Sequence, residues 1–208
     1  MIRTSLRLLA FAGMTALLAA CSGTATEDTA SGPTLPAEVS ANAEEMTEPA
    51  EPTGPDRNDR GNIEKQLGEE GGITDEATGG AVLTFAVDAI AVDQPCTSEY
   101  PEPAENGHFV VIDLRMATAP ELADSSLGGW FSVSPYDFRV IGPDGLTVDE
   151  LGTFAAYSCL ADTETFTSDA LRPAQQYVGK VALDVPITSG TLIYQPSAVY
   201  DGGWEWTF

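Results

Sequence analysis

Apolar residues between His108 and Met116 fall on every second position, and this spacing constrains the fold more than any other feature of the chain. Val110, Ile112, Leu114 and Met116 share one face of an extended segment, while Asp113 and Arg115 point outward. The same period runs through Leu83, Phe85 and Val87. It then slips, with Ile90 and Val92 apolar, as at a bulge or a strand passing between sheets. Asp137-Phe138-Arg139-Val140-Ile141 and Leu146-Thr147-Val148 flank Gly142-Pro143-Asp144-Gly145, a strong hairpin turn. Tyr177, Gly179, Val181, Leu183 and Val185 alternate with Val178, Lys180, Ala182 and Asp184, and residues 191–194 and 204–208 add two further runs. Seven or eight short strands with turn signals about every 8–12 residues, and no convincing amphipathic helix, predict an all-β antiparallel sandwich over residues 79–208.

The first 20 residues have a different character. Arg3 and Arg7 form a positive start, Leu8 to Leu18 an apolar stretch, and Leu18-Ala19-Ala20-Cys21 closes it. The stretch is short of the roughly 20 residues that span a bilayer. It resembles a bacterial lipobox, which implies diacylglyceryl transfer to the Cys21 thiol and cleavage before it. Residues 1–20 are then a lipoprotein signal peptide. Cys21 becomes a lipid anchor holding the chain to the cell membrane on its extracytoplasmic face.

Residues 21–78 read as an acidic tether rich in Pro, Glu, Thr and Ala. Fourteen acidic residues between positions 22 and 78 face only Arg57, Arg60 and Lys65. Such a segment buries too little apolar surface to offset its ordering entropy, so it is expected to be disordered. Asn62 to Leu67 could form one helical turn, stopped by Gly68, Gly71 and Gly72. A flexible linker of this length spans on the order of 40 Å, enough to carry the domain into the cell wall.

With Cys21 lipidated, Cys96 and Cys159 remain, and in an exported protein an isolated pair reads as a disulfide. Metal-binding or redox-active thiols are the alternatives; they would call for nearby histidines or a close C-x-x-C. The formal charge of −23 disfavours nucleic acid and anionic lipid head groups as partners.

Several segments occur in a telling order: Gly107 to Leu114, Phe138-Arg139-Val140 with Gly142 to Gly145, Leu171-Arg172-Pro173, and Gly179 to Pro186. Together they resemble the telokin-like, immunoglobulin-fold domain of unknown function of Gram-positive, especially actinobacterial, lipoproteins. The mycobacterial immunoprotective extracellular protein is similar in architecture. The resemblance covers residues 79–208 and implies an immunoglobulin-like extracytoplasmic sandwich without established chemistry. Ala174 stands where that family commonly carries glycine.

No catalytic residue, metal site or cofactor is assigned. His108, the only histidine, opens a strand, and no G-x-S-x-G context surrounds Ser132, Ser134 or Ser158. If the disulfide forms, Glu99, Glu102 and Glu105 approach Asp162 and Glu164, although the spacing of an EF-hand loop is absent. Trp204 and Trp206 share one face of the last strand; they either form a ligand surface or pack into the core. The expectation is a non-enzymatic, lipid-anchored module binding an unknown envelope or host protein. The alternative is a calcium- or cell-wall-glycan-binding domain.

Overall fold

The structure, a computed structural model, describes residues 54–148 and 150–208. The signal peptide, Cys21 and the tether up to residue 53 lie outside the described residues. The described residues form an all-β sandwich of two sheets with immunoglobulin-like architecture. One sheet has the order β1-β9-β8-β5-β6: Ile63–Glu64, Trp204–Thr207, Thr191–Tyr194, Phe138–Ile141 and Thr147–Val148. The other has the order β2-β3-β4-β7: Gly71–Thr74, Ala81–Val92, His108–Thr118 and Gln176–Val185.

The period-two runs form the strands expected of them. β3 and β4 pair antiparallel, and their register shifts between Val87 and Ala89, which is the bulge implied by the slipped phase. Gly142 to Gly145 turns β5 into β6, with the Gly145 N–H on the Gly142 carbonyl and the Gly142 N–H on the Leu146 carbonyl.

Two strands lie where the tether was expected, so the folded region begins well before residue 79. β1 pairs parallel with β9, and β2 pairs antiparallel with β3. These short segments supply little apolar area of their own. They are ordered by pre-existing sheet edges, which satisfy their backbone groups. Gly71 is required at its position: a Cβ there would stand 2.6 Å from the Phe85 ring. In place of the helical turn that Asn62 to Leu67 could form stands β1, where the Ile63 N–H and, just after the strand, the Lys65 N–H donate to the Gly203 and Glu205 carbonyls.

Between the sheets, Leu83, Phe85, Val110, Ile112, Leu114, Val140, Leu183 and Leu192 are buried. Phe85 is the hub, its ring edge-on to Tyr194 at 5.0 Å and to Trp204 at 4.7 Å between centroids. Trp204 and Trp206 belong to this core, at 6% and 2% exposure, so they do not form an exposed ligand surface. Their shared face on β9 points inward, and the intervening Glu205 is covered from outside by the N-terminal segment.

A second, smaller core lies on the opposite face of the four-stranded sheet. Phe109, Val111 and Ala182 project outward there and are covered by α1 (Phe154–Cys159) through Ala155 and Cys159, with Leu160 beyond the helix end. The disulfide joins Cys96 to Cys159 across 63 residues of sequence, fastening the loop after β3 to this helix. The Thr97 and Ser98 N–H groups cap the helix by donating to the Cys159 carbonyl.

Candidate functional site

A cleft of about 610 Å³ opens beside β2, the edge strand of the four-stranded sheet. Its walls come from Gly72 to Thr74, from residues 126–132 and from residues 196–201, with Trp204 at the floor. Trp130 stands 51% exposed and Tyr200 84% exposed, and both line it.

The local sequence explains why Trp130 faces out. Phe131 bridges Leu171 with reciprocal backbone hydrogen bonds, and residues 130–133 follow a pleat in which Phe131 and Val133 are buried. Trp130 and Ser132 therefore fall on the opposite side. Gly128 and Gly129, at φ +77° and +79°, make the turn that delivers Trp130 into this pleat.

Asp75 fixes the turn to β2. Its buried carboxylate accepts from the Ser126 N–H at 3.1 Å and from the Thr78 hydroxyl at 3.1 Å. Hydrogen bonds from Ser126 hold the Asp75 carboxyl below its ordinary range. The rim adds Ser126, Ser132 and Ser197 as hydroxyl partners and Glu76 and Asp201 as carboxylates, and among the described residues no Lys, Arg or His lines the cleft.

On the far side of the same domain, Glu205 binds the segment that precedes β1. Arg60 grips its carboxylate through both Nε and Nη2, and Asn62 donates to it at 2.9 Å. The Asn62 side-chain oxygen accepts from the Gly203 N–H at 2.8 Å. Burial pushes the Glu205 carboxyl up, but the Arg60 and Asn62 hydrogen bonds and the Arg60 charge outweigh it, so it lies below its usual range.

The two acidic loops meet at the disulfide, with the Ala161 N–H on the Thr97 hydroxyl and the Glu102 N–H on the Ser158 hydroxyl, but their carboxylates do not gather into one cluster. Glu105 accepts from the Ala155 N–H at the start of α1, whereas Glu164 accepts from the Thr97 hydroxyl beyond its end. Glu99 accepts from Tyr100. Among the described residues, no group of three or more His, Cys, Asp or Glu side chains is arranged to hold a metal ion.

The carboxylate that organises this end is one the alternation placed on the solvent face. Asp184 is fully buried and accepts from the Glu105 N–H at 2.7 Å, the Asn106 N–H at 3.0 Å and the Thr153 hydroxyl at 2.8 Å. Thr153 in turn caps α1 by accepting from the Ala156 N–H. His108 pairs through Nδ1 with Asp93 at 3.0 Å on the surface. Ser134 donates to Asp137 and Ser158 to the Ala155 carbonyl, so neither is directed at His108.

Of the two alternatives open for Trp204 and Trp206, core packing is the one found, and Trp130 is the exposed tryptophan. The signal for Trp130 was present in the out-in-out-in pattern of Trp130, Phe131, Ser132 and Val133 after a Gly-Gly turn. Asp75 carried no such signal, because its role depends on β2.

The fold defines the class: an all-β, two-sheet sandwich with an aromatic-walled cleft at one edge. No protein-family model matches the sequence, and no curated protein matches it. Among solved structures, the chain is similar to the secreted protein MPT63 of Mycobacterium tuberculosis, at 16% identity and a TM-score of 0.47, over 71% of this chain and 98% of that one. YcdA, a candidate lipoprotein of Bacillus subtilis, matches at 11% identity and a TM-score of 0.41, over 67% of this chain and 38% of that protein. Likeness this distant transfers no function, location or chemistry.

Proposed function

We propose that the chain is a non-enzymatic binding module of the cell exterior. It is anchored through lipid on Cys21 to the extracytoplasmic face of the membrane, and its sandwich projects into the cell wall. There it engages an envelope or host component through the Trp130–Tyr200 cleft. The observation that carries this reading is the exposure of two large aromatic side chains on one cleft, whose Trp130 wall is held by the Asp75–Ser126 and Phe131–Leu171 hydrogen bonds. Water-exposed Trp and Tyr on such a frame are characteristic of recognition surfaces. The lipobox supports the anchor, and the Cys96–Cys159 disulfide suits an oxidising compartment. The calcium alternative receives no support from the acidic loops, where Glu105 and Glu164 accept internal hydrogen bonds and no metal-holding cluster forms among the described residues.

Two measurements test the proposal. Metabolic labelling with a fatty-acid analogue should mark the chain and be lost in Cys21→Ser; labelling that persists in this variant removes the anchor. Purified full-length protein should be retained on isolated cell envelopes, and Trp130→Ala with Tyr200→Ala should reduce retention at least tenfold. Retention unchanged by both substitutions removes the cleft as the binding surface.

A further inference from the structure

Building on the binding-module reading, we infer that the Trp130–Tyr200 cleft binds an oligosaccharide of neutral or amine-bearing sugars and rejects acidic ones. A pyranose ring is amphipathic, with C–H groups on its faces and hydroxyls around its edge. The cleft has the complementary division. Trp130 and Tyr200 offer flat apolar faces, while Ser126, Ser132, Glu76 and Asp201 offer hydrogen-bonding groups beside them. A wholly apolar ligand would strip water from those hydroxyls and carboxylates without replacing it, an unfavourable exchange. A sugar covers the rings and supplies hydroxyl donors to the carboxylates.

The charge of the lining sets the selectivity. Glu76 and Asp201 face the ligand with no cationic side chain among the lining residues, within a chain of net charge −23. A uronic-acid or phosphate-bearing polymer is therefore repelled both locally and at long range. An amino group on the sugar would be attracted.

Size and preorganisation agree with this class. A volume of about 610 Å³ lies inside the range of roughly 300–1,000 Å³ typical of small-ligand sites. The exposure of Tyr200 leaves the rim open to solvent, so a polymer can enter without threading. The Asp75–Ser126 hydrogen bond and the Phe131–Leu171 bridge hold the Trp130 wall before the ligand arrives, which lowers the ordering cost of binding. A basic peptide is the rival occupant, since β2 is an edge strand. Strand addition draws its specificity from pockets for alternate side chains, whereas the most exposed apolar elements here are two flat rings.

Trp130 supplies its own readout, because Trp204 and Trp206 are buried. Collisional quenching of tryptophan emission by acrylamide in the full-length protein should report mainly on Trp130. The probes are N-acetylglucosamine tetramer, cellotetraose, tetragalacturonate and a lysine-rich decapeptide. At saturation, at least one of the two uncharged tetramers should halve the quenching constant and shift emission to the blue, and tetragalacturonate should do neither. Tyr200→Ala should weaken that binding at least tenfold with Trp130 emission retained. Glu76→Gln with Asp201→Asn should raise affinity for tetragalacturonate at least fivefold.

Protection by the decapeptide and by neither uncharged sugar would overturn the oligosaccharide assignment while leaving the binding module intact. Retention on envelopes through the cleft with no sugar protecting Trp130 would do the same. Loss of both envelope retention and probe binding would overturn both.

Discussion

The two faces of the four-stranded sheet are buried by different means. Toward the other sheet, Phe85, Leu114, Leu183 and their neighbours remove a broad apolar area from water, and hydrophobic burial suffices to hold it. On the outer face, six residues, several of them small, make a core too limited to hold a six-residue helix by burial alone. That face adds a covalent link, Cys96–Cys159, and a buried carboxylate, Asp184, each reaching across sequence to join the loop before β4 with α1. A large core tolerates irregular edges; a small one needs specific fasteners.

The largest break in this contrast is on the inner face. Phe85→Ala should destabilise the domain by about 3–5 kcal/mol and act globally, lowering the urea midpoint with the slope preserved. On the outer face, Cys96→Ser with Cys159→Ser should remove about 4 kcal/mol in the chain-entropy view. For a domain of this size that is a fall of roughly 8–16 °C in Tm. Hydrogen exchange separates the two changes: loss of the disulfide should expose α1 amides ahead of β4, whereas Phe85→Ala should accelerate both together. Equal acceleration in the disulfide variant would show that the outer layer is not a separate unit.

Asp184→Asn should come next, at about 1–3 kcal/mol, because one amide oxygen cannot replace both carboxylate oxygens toward Glu105, Asn106 and Thr153. Thermal melts of this variant should show a smaller loss than the disulfide variant.

Acid tests an ion pair on the five-stranded sheet, Arg60–Glu205. The folded carboxyl lies below its unfolded value, so its stabilisation is full above the unfolded value near 4.3 and is lost as pH falls through the folded one. The difference in stability between the unaltered chain and Arg60→Ala should be about 1–2 kcal/mol from pH 7 to pH 5 and shrink below pH 4. A difference that grows in acid would reverse the sign and remove the pair as a stabiliser.

The smallest effect is a gain. Ala174 holds φ at +58°, a left-handed conformation that glycine adopts without a Cβ clash. Ala174→Gly should stabilise by about 0.5–1 kcal/mol, seen as a Tm rise of a few degrees.

The same contrast explains what could be read from sequence. Alternation in β3, β4 and β7 reveals strands because each carries several large apolar residues on one face, and the phase slip after Val87 even locates the bulge. It cannot say whether the other face is wet. Val111, Ala182 and Asp184 occupy nominally outward positions and are buried by a helix and loops distant from them in sequence. β2 carries one large apolar residue, Ile73, among two glycines and a threonine, so its strand character comes from β3. Trp204 and Trp206 are correctly read as sharing a face, but a period of two does not tell which side of the sheet that face meets. Trp130 lies where three segments from distant parts of the chain form one cleft.

Hydrogen-exchange footprinting of the full-length protein on isolated cell envelopes places the binding surface most directly. Slowed exchange should concentrate in residues 72–74, 126–132 and 197–201, leaving residues 97–105 and 154–160 unchanged. Protection confined to the disulfide-fastened face, or absent from the Trp130–Tyr200 cleft, would contradict the assignment.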